Sequence, residues 1–285
     1  SKIHFLQMKA FNIKGKILDL STAKVMGILN ITDDSFFDGG AYLNKNKMLE
    51  KCEKMLLEGA SIIDIGAQSS RPRAKPIDFE VEKERLLITI TNIKHHFPDI
   101  IISVDTYNSS IAKSCIKNGA DIINDISAGE MDKEMFEVVA ELGVPYIMMH
   151  MQGTPENMQE NPQYKNVTND VLGFLERKIK QLKAKGFEQI IIDPGFGFGK
   201  TMEHNYELLN NLRCFEKLGF PILVGASRKS MIYNILNGNA ETALNGTTAI
   251  NMMALLNGAN ILRVHDVKEA VECIKIVNFA KSCKK

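Results

Sequence analysis

Apolar residues in this chain gather into eight short, nearly continuous runs that are separated by longer mixed segments. The runs are rich in isoleucine and valine and cover residues 25–30, 61–66, 101–106, 121–127, 144–150, 190–195, 221–227 and 261–266. Continuous apolar runs of this length are typical of strands that are buried on both faces of a parallel sheet. We therefore predict eight parallel strands.

Five of the segments between the runs have a helical spacing of apolar residues and stop at a glycine. They cover residues 47–58, 109–118, 131–142, 171–185 and 242–257, and they are followed by Gly59, Gly119, Gly143, Gly186 and Gly258. Glycine directly after a helix is a common C-cap because it adopts the left-handed conformation without strain. Strands alternating with helices over 285 residues predict an α/β fold, a (β/α)8 TIM barrel, with a doubly wound open sheet as the alternative.

Residues 1–20 precede the first run and carry a turn signal at Gly15. We interpret them as an N-terminal β-hairpin extension that covers the N-terminal end of the barrel. Because 45% of the residues are hydrophobic and no low-complexity linker interrupts the chain, we predict that residues 1–285 form a single barrel domain.

Charge and cysteine content narrow the range of partners. Lys and Arg number 35 against 34 Asp and Glu, and neither sign forms a block, so a nucleic-acid partner is not expected. No apolar run approaches the ~18 residues that span a bilayer, and the first residues lack the apolar stretch of a secretory signal. The five scattered cysteines have no metal-ligand spacing. We expect reduced cysteines and a cytoplasmic protein with no membrane partner.

Polar residues stand at the carboxyl ends of most of the predicted strands, which is where (β/α)8 barrels carry their active sites. So many polar groups in one barrel mouth would be costly to bury without a polar ligand, which is typical of an enzyme. These strand-end residues are Asn30, Asp64, Asp105, Asn124, Asp193, Ser227, Lys229, Arg263 and His265, joined by the apolar Met149.

Four of these residues form a set of donors and acceptors for a flat heterocycle: Asp105, Asn124, Asp193 and Lys229. A carboxylate can accept two hydrogens from an amidine-like edge, and a lysine can donate to a ring carbonyl or nitrogen. The alternative is that the two carboxylates cap the following helices or pair with neighbouring lysines.

Arg263 and His265 share a face of the last strand, because strand side chains alternate. Together they predict a cationic site for an oxyanion. Asn30, at the end of the first strand, adds a neutral oxygen, and an amide oxygen with phosphate oxygens suits Mg²⁺. His150 lies on the opposite alternation from Met149, and we interpret it as structural.

The stretch IIIDPGFGFGKT at residues 190–201 looks like a phosphate-binding loop but has the wrong spacing. A P-loop requires glycine where Pro194 stands, and the dinucleotide pattern requires glycine where Lys200 stands. We interpret this stretch as a strand that ends in Asp193 and continues into a glycine-rich loop.

Eight segments in the same order resemble the dihydropteroate synthase family. They are NITDDSFFDGG, GASIIDIGAQSSRPRA, SVDT, NDIS, MHMQGTPENMQ, DPGFGFGK, GASRKS and RVHDV. The resemblance implies a barrel enzyme that joins 6-hydroxymethyl-7,8-dihydropterin pyrophosphate to p-aminobenzoate, releases pyrophosphate, uses Mg²⁺ and forms a homodimer.

The resemblance also implies a role for individual residues. The pterin site would comprise Asp105, Asn124, Met149, Asp193, Phe198, Gly225 and Lys229. The pyrophosphate site would comprise Asn30, Ser70, Arg71, Arg263 and His265, with Asn30 also binding Mg²⁺. The p-aminobenzoate site would comprise Phe36, Ser70, Arg71, Pro72, Lys229 and Ser230. In the implied mechanism pyrophosphate leaves first, and the catalytic residues are Asp38, Lys229, Arg263 and His265. Asp38 would stabilise the resulting pterin cation and orient the attacking amine.

Four positions depart from the family pattern. Gln68, Ser70 and Arg73 replace the usual Glu, Thr and Gly, and Asp33 replaces a common Pro.

Three other functions stay open. A methyltetrahydrofolate–corrinoid methyltransferase would have no use for the SSRP and SRKS segments. A Schiff-base aldolase would use Lys229 as its nucleophile. A catalytically silent pterin-binding subunit would be expected to have lost Asp38, Arg71 and Lys229, and this chain retains all three.

Overall fold

The structure is a computed structural model that describes residues 10–31, 41–67 and 77–283. Its first element is the predicted hairpin. Strands β1 (Ala10–Ile13) and β2 (Lys16–Asp19) pair antiparallel. The turn between them passes through Lys14 and Gly15, both with positive φ.

The eight predicted strands are present, and all eight run parallel in one sheet. They are β3 (Lys24–Asn30), β4 (Ile62–Gly66), β5 (Ile101–Asp105), β6 (Ile122–Asp125), β7 (Tyr146–Met149), β8 (Ile190–Asp193), β9 (Leu223–Val224) and β10 (Ile261–Val264). The sheet order is β8-β7-β6-β5-β4-β3-β10-β9. A parallel bridge between Ile192 and Ile222 joins β8 to the segment before β9 and closes the ring. This closure confirms the barrel and makes the open doubly wound sheet wrong.

Helices follow the strands along the chain. They are α1 (Ala41–Leu57), α2 (Phe79–His96), α3 (Ser109–Lys117), α4 (Met135–Leu142), α5 (Val167–Ala184), α6 (Met202–Asn210), α7 (Ser230–Tyr233), α8 (Leu244–Leu256) and α9 (Val267–Ser282), with a 3-10 helix at Leu212–Leu218. All five predicted glycine stops have positive φ. Gly143, for example, is the left-handed C-cap of α4.

Helix α4 begins at Met135, four residues later than the sequence predicted. The preceding residues are held in turns by side chains instead. The Asp125 carboxylate accepts from the amides of Ser127 and Gly129, and the Ser127 hydroxyl accepts from the amide of Met131. Such local bonds compete with helix formation.

The hairpin seals the N-terminal end of the barrel, as predicted. Its buried residues Phe11, Ile13 and Leu18 pack in one cluster with the first inward-facing residue of most barrel strands. Those residues are Met26, Ile62, Ile122, Ile147, Ile191, Leu223 and Ile261. The residues between the inward positions, such as Ile63 and Val104, belong to the larger core between strands and helices.

Two residues further along each strand, the inward positions change from mainly apolar to mainly polar. The residues at these inward positions are Ile28, Asp64, Ser103, Asn124, Met149, Asp193, Gly225 and Arg263. Because the strands are parallel and closed into a ring, these side chains meet in one layer at the carboxyl end of the barrel. This layer is the floor of the candidate site. Among the helices that the structure describes, none is long and apolar enough to cross a membrane.

Candidate active site

Arg263 and two carboxylates form an ion-pair cluster in the polar layer. The Arg263 Nε donates to Asp64 Oδ2 at 2.7 Å, and its Nη2 donates to Asp105 Oδ2 at 3.1 Å. The sequence predicted that Arg263 faces the barrel mouth as a cation for an anion. The structure corrects the charge of that site, because β10, β3, β4 and β5 are neighbours and bring two carboxylates to the same guanidinium.

Asp64 had no predicted role beyond its place at a strand end, yet its fully buried carboxylate contacts two candidate ligand-binding residues. Its Oδ2 accepts from Arg263 and also from Asn124 Nδ2 at 3.2 Å. One hydrogen of the Asn124 amide nitrogen is held by Asp64, which orients the amide so that its oxygen can accept a ligand N–H. An inward-facing acid one layer below the mouth was the signal that could have identified this role.

Asp105 and Asp193 do not cap the helices that follow them. Helix α3 is capped by Asn108, and helix α6 is capped by Thr201, whose hydroxyl accepts from the amide of His204. The helix-capping alternative is therefore wrong for both acids. Burial and the neighbouring Asp64 raise the pKa of Asp105, while Arg263 opposes that rise.

Asp193 lies at the end of β8 with only 5% of its surface exposed. Its Oδ1 accepts from the amide of Gly195 at 2.8 Å, which ties the carboxylate to the loop that follows. Burial raises the pKa of Asp193, and the nearby Lys229 and Arg263 counteract part of that rise. Asp193 accepts its hydrogen bond through Oδ1, and Asp105 accepts its hydrogen bond through Oδ2.

Lys229 lies above the same loop. Its ammonium donates to the Phe196 carbonyl at 2.7 Å and stands 4.6 Å from the centre of the Phe198 ring. Burial lowers the pKa of Lys229 to about 8, and Asp193 acts in the opposite direction. Ser230, the first residue of α7, is exposed directly beside it.

Arg228, the residue before Lys229, forms an ion pair with Asp266, which follows β10. Arg228 has a positive φ of 55°, and its Nε and Nη2 donate to both carboxylate oxygens of Asp266 at 2.7 and 2.9 Å. A bidentate arginine–carboxylate pair of this kind fixes direction as well as distance. Nothing in the sequence indicated this pair beyond the proximity of the two residues to strand ends.

An apolar wall stands beside the acids. It consists of the buried residues Ile126, Met149, Met158 and Phe198, with Tyr107 and Met151 packed against them. Gly225 faces the same layer, where an added Cβ would lie 3.8 Å from the Arg263 side chain. The polar groups and the wall together can hold a flat ring whose edge is polar and whose faces are apolar.

The glycine-rich loop turns its lysine inwards instead of towards a phosphate. Gly195, Gly197 and Gly199 all have positive φ, between 64° and 85°. A Cβ at Gly195 would lie 1.9 Å from the His150 carbonyl oxygen, so only glycine fits there. Lys200 is 3% exposed and donates to the Gly195 carbonyl within its own loop at 2.7 Å. These contacts agree with the interpretation that this loop is not a P-loop.

His265 is neutral at pH 7, contrary to the predicted pair of cations. The residue is exposed just after β10, yet partial loss of water around its ring and the adjacent Arg263 lower its pKa to about 4. Its Nδ1 lies 2.9 Å from the Ser227 hydroxyl, which itself accepts from the His265 amide at 3.1 Å. The hydroxyl hydrogen is thus available for Nδ1, which leaves a hydrogen on Nε2. His265 can therefore act as a neutral donor. His150 is buried and contacts Lys200, as a structural histidine would.

Asn30 is exposed at the end of β3. Within residues 10–31, 41–67 and 77–283, no three His, Cys, Asp or Glu side chains are grouped as metal ligands. The predicted site residues Phe36, Asp38, Ser70, Arg71 and Pro72, and the departures Asp33, Gln68 and Arg73, lie outside the described residues.

Comparison with known proteins gives one consistent result. The profile of the family described as "Pterin binding enzyme" matches residues 26–265. The dihydropteroate synthase of Haemophilus influenzae is 43% identical over 263 residues, covering 92% of this chain and 95% of that protein. The crystal structure of the Yersinia pestis dihydropteroate synthase with a sulfonamide drug superposes with a TM-score of 0.90 at 39% identity, covering 96% of this chain and 100% of that chain. The Xanthomonas albilineans dihydropteroate synthase in complex with 7,8-dihydropteroate superposes with a TM-score of 0.85 at 31% identity, covering 96% and 100%.

Proposed function

This chain belongs to the pterin-binding enzyme family, within the group of the dihydropteroate synthases, and on that premise we propose how its residues perform the reaction. It is a transferase of folate biosynthesis that joins 6-hydroxymethyl-7,8-dihydropterin pyrophosphate to p-aminobenzoate, giving 7,8-dihydropteroate and pyrophosphate. One observation carries the assignment of roles. Three oxygen acceptors, on Asp105, Asn124 and Asp193, and the Lys229 ammonium lie beside one apolar wall.

The pterin ring would lie against that wall with its polar edge towards the strand ends. A pterin edge presents ring N–H and amino groups, which need acceptors, and the candidates are Asp105, the amide oxygen of Asn124, and Asp193. Lys229 would donate to a ring nitrogen or carbonyl. Met149 and Phe198 would contact the ring faces, and Gly225 would allow close approach because it has no side chain.

The pyrophosphate would lie above the pterin, against Arg263, His265 and Asn30, and against Ser70 and Arg71. His265 would donate from Nε2 as a neutral imidazole. Arg263 is already paired with two carboxylates, so a bound pyrophosphate would compete with them for its guanidinium. Developing negative charge on the leaving group is stabilised by such preorganised donors.

Asn30 is suited to bind Mg²⁺ as a single protein ligand. Its amide oxygen is a hard donor in an exposed position at the barrel mouth, and Mg²⁺ prefers oxygen ligands from phosphates and water to an all-protein site. When bound, the ion would neutralise charge on the departing pyrophosphate.

The p-aminobenzoate would bind beside Lys229 and Ser230, with Phe36, Ser70, Arg71 and Pro72 completing its site. We propose a dissociative reaction in which pyrophosphate leaves first and the amine then attacks the pterin methylene cation. Asp38 would stabilise that cation and orient the amine. The donors that hold the leaving group, Arg263 and His265, support this order of events.

The family resemblance implies a homodimer, the composition predicts a cytoplasmic protein, and both stay predictions. Several large apolar side chains in the last part of the chain support burial against a second copy. They are Ile235, Leu236, Leu256, Ile276 and Phe279, each more than half exposed.

The test is an incubation with dihydropterin pyrophosphate, labelled p-aminobenzoate and Mg²⁺. We expect labelled dihydropteroate, together with released pyrophosphate, and a loss of turnover when a chelator removes Mg²⁺. Methyl transfer from methyltetrahydrofolate to a corrinoid, with no dihydropteroate, would favour the methyltransferase. A covalent adduct on Lys229 after borohydride treatment would favour the aldolase. Pterin binding without turnover would favour the silent subunit.

A further inference from the structure

Lys200 ends the glycine-rich loop, yet none of the roles above uses it. Its side chain is nearly inaccessible, at 3% exposed. It follows Gly199 and precedes Thr201, the N-cap of α6, so it stands where the loop joins the helix. A buried lysine is costly unless its charge is satisfied, and its contacts therefore indicate what it does.

The Lys200 ammonium donates to three acceptors that surround it. They are the carbonyl of Gly195 at 2.7 Å, the carbonyl of Phe198 at 3.0 Å, and Nδ1 of His150 at 3.0 Å. An ammonium has three hydrogens, so this set matches its full capacity. The group consequently has no hydrogen left for a substrate, and a direct catalytic role is ruled out by its own bonding.

Two of the three acceptors are loop carbonyls that turn towards one point. Both carbonyls lie within hydrogen-bond distance of the same ammonium, and the Gly195 carbonyl also accepts from the amide of Phe198 at 3.2 Å. Carbonyl dipoles that converge in a buried space repel one another and lose water, unless a cation binds them. The Lys200 ammonium supplies that cation from within the chain.

The turn that Lys200 closes is also the support of three candidate pterin-site groups. The amide of Gly195 donates to Asp193, the carbonyl of Phe196 accepts from Lys229, and the ring of Phe198 lies under the Lys229 ammonium. The turn therefore contacts an acceptor, a donor and an apolar face of the proposed pterin site. A shift of the turn would move all three together.

We propose that Lys200 is a positioning residue for pterin binding: its ammonium binds the Gly195–Phe198 turn and thereby sets the positions of Asp193, Lys229 and Phe198. The inference rests on the proposed function for its ligand. It also gives a reason for the Gly-Lys sequence at the end of this loop. The lysine binds the loop's own carbonyls, where a P-loop lysine would bind phosphate.

The competing explanation is that Lys200 stabilises the fold alone. Lys178 provides a matched control, because it is also a buried lysine at 8% exposed. It pairs with Glu130 and lies 5.4 Å from the Phe136 and Phe174 rings, on a helix of the outer layer. Its replacement removes a buried ammonium without touching the turn.

The experiment compares Lys200→Met and Lys178→Met with the parent protein. Binding of 6-hydroxymethylpterin is measured by calorimetry well below the unfolding temperature of each variant. For Lys200→Met we expect the Kd to rise about tenfold or more, because the Phe198 carbonyl loses the Lys200 donor, the Gly195 carbonyl keeps only its bond from the Phe198 amide, and the turn loses its cation. For Lys178→Met we expect an unchanged Kd, even if its stability falls equally. A Kd for Lys200→Met equal to that of the parent would overturn the proposal.

If Lys200→Met does not fold, Lys200→Gln tests the positioning role of Lys200. Its amide keeps two donors for the turn carbonyls but cannot reach all three acceptors, so we expect an intermediate rise in Kd. A Kd equal to that of the parent would again overturn the positioning role. Pterin binding by the parent protein tests the proposed function separately from the role of Lys200. If the parent itself fails to bind the pterin, the proposed function has failed, whereas a parent that binds equally with its Lys200 variants refutes only the role of Lys200.

Discussion

Arg263 and Asp64 join strands that lie 199 residues apart in the chain, through a 2.7 Å contact between Nε and Oδ2. The same carboxylate oxygen accepts from Asn124, so one buried acid determines both the direction of a guanidinium and the orientation of an amide. The binding roles proposed for Arg263 and Asn124 therefore both depend on Asp64. This relationship leads to the first prediction.

Asp64→Asn should lower the free energy of unfolding by about 3 kcal/mol, because the variant leaves a buried arginine without its main counter-charge. Pterin affinity should fall as well, since Asn124 loses the contact that orients it. Equilibrium denaturation and calorimetry measure the two effects. Asp99→Asn is the control, because Asp99 is 98% exposed in its pair with Lys16, and it should change stability by less than about 0.5 kcal/mol. Equal effects in both variants would contradict the buried ion pair.

Asp193→Asn should weaken pterin binding by about 1–3 kcal/mol while changing p-aminobenzoate affinity little. The Gly195 amide needs an acceptor and would keep the amide oxygen of the new side chain. The amide nitrogen would then face the ligand and present a donor to the donors of the pterin edge. Calorimetry with a pterin measures this loss. An unchanged pterin affinity would return Asp193 to a purely structural role in the turn.

Gly195→Ala should be far more damaging than Gly186→Ala. Both glycines have φ near 75°, but a Cβ at Gly195 would lie 1.9 Å from a backbone carbonyl, whereas Gly186 has nothing within 4 Å. Gly186→Ala should therefore show the conformational cost alone, about 1–2 kcal/mol. Gly195→Ala should add a steric cost and reduce pterin affinity. Denaturation curves and pterin titrations of the pair test this, and similar values for both variants would refute the close approach.

His150 should make the protein less stable towards acid. Burial and the neighbouring Lys200 lower the pKa of His150 from 6.5 to about 2. Between those values the unfolded chain binds a proton that the folded chain does not, so the free energy of unfolding falls as the pH decreases below about 6.5. The contribution is up to about 1.4 kcal/mol per pH unit.

The measurement compares the pH dependence of stability in the parent and in His150→Phe. Asp105 and Asp193 have raised pKa values and oppose the effect of His150, so the informative quantity is the difference between the two slopes. Urea denaturation between about pH 4.5 and 6.5 should give a slope that is less positive for His150→Phe. Parallel slopes would mean that His150 titrates normally in the folded protein.

Binding of p-aminobenzoate should depend on pyrophosphate and Mg²⁺. The residues proposed for the two ligands overlap, since Ser70 and Arg71 belong to both sets. With pterin present, Mg²⁺ and pyrophosphate should therefore raise p-aminobenzoate affinity, and by linkage p-aminobenzoate should raise pyrophosphate affinity by the same factor. Titrations in both directions measure the factor. Equal affinities with and without pyrophosphate would contradict ordered binding.

Local patterns in the sequence were enough to predict the barrel, and the reason is physical. A strand such as Ile62–Gly66 is mostly apolar on both faces because helices cover one side and the barrel interior the other. A glycine such as Gly143 ends its helix because its own φ is left-handed. The change from Ile62 to Asp64 along one inward face likewise locates the polar layer. Each of these signals resides within a few consecutive residues.

The electrostatic state of the site was decided by the tertiary structure. Two cations were predicted at Arg263 and His265, but the fold pairs the first with Asp64 and Asp105, and partial desolvation beside Arg263 lowers the pKa of the second to about 4. The sequence determined that an acid, an arginine and a histidine would stand at strand ends. Which of them carries net charge, and towards which partner each one points, depends on contacts between residues such as Asp64 and Arg263. Those contacts exist only after a closed ring of strands has brought distant segments together and excluded water from between them.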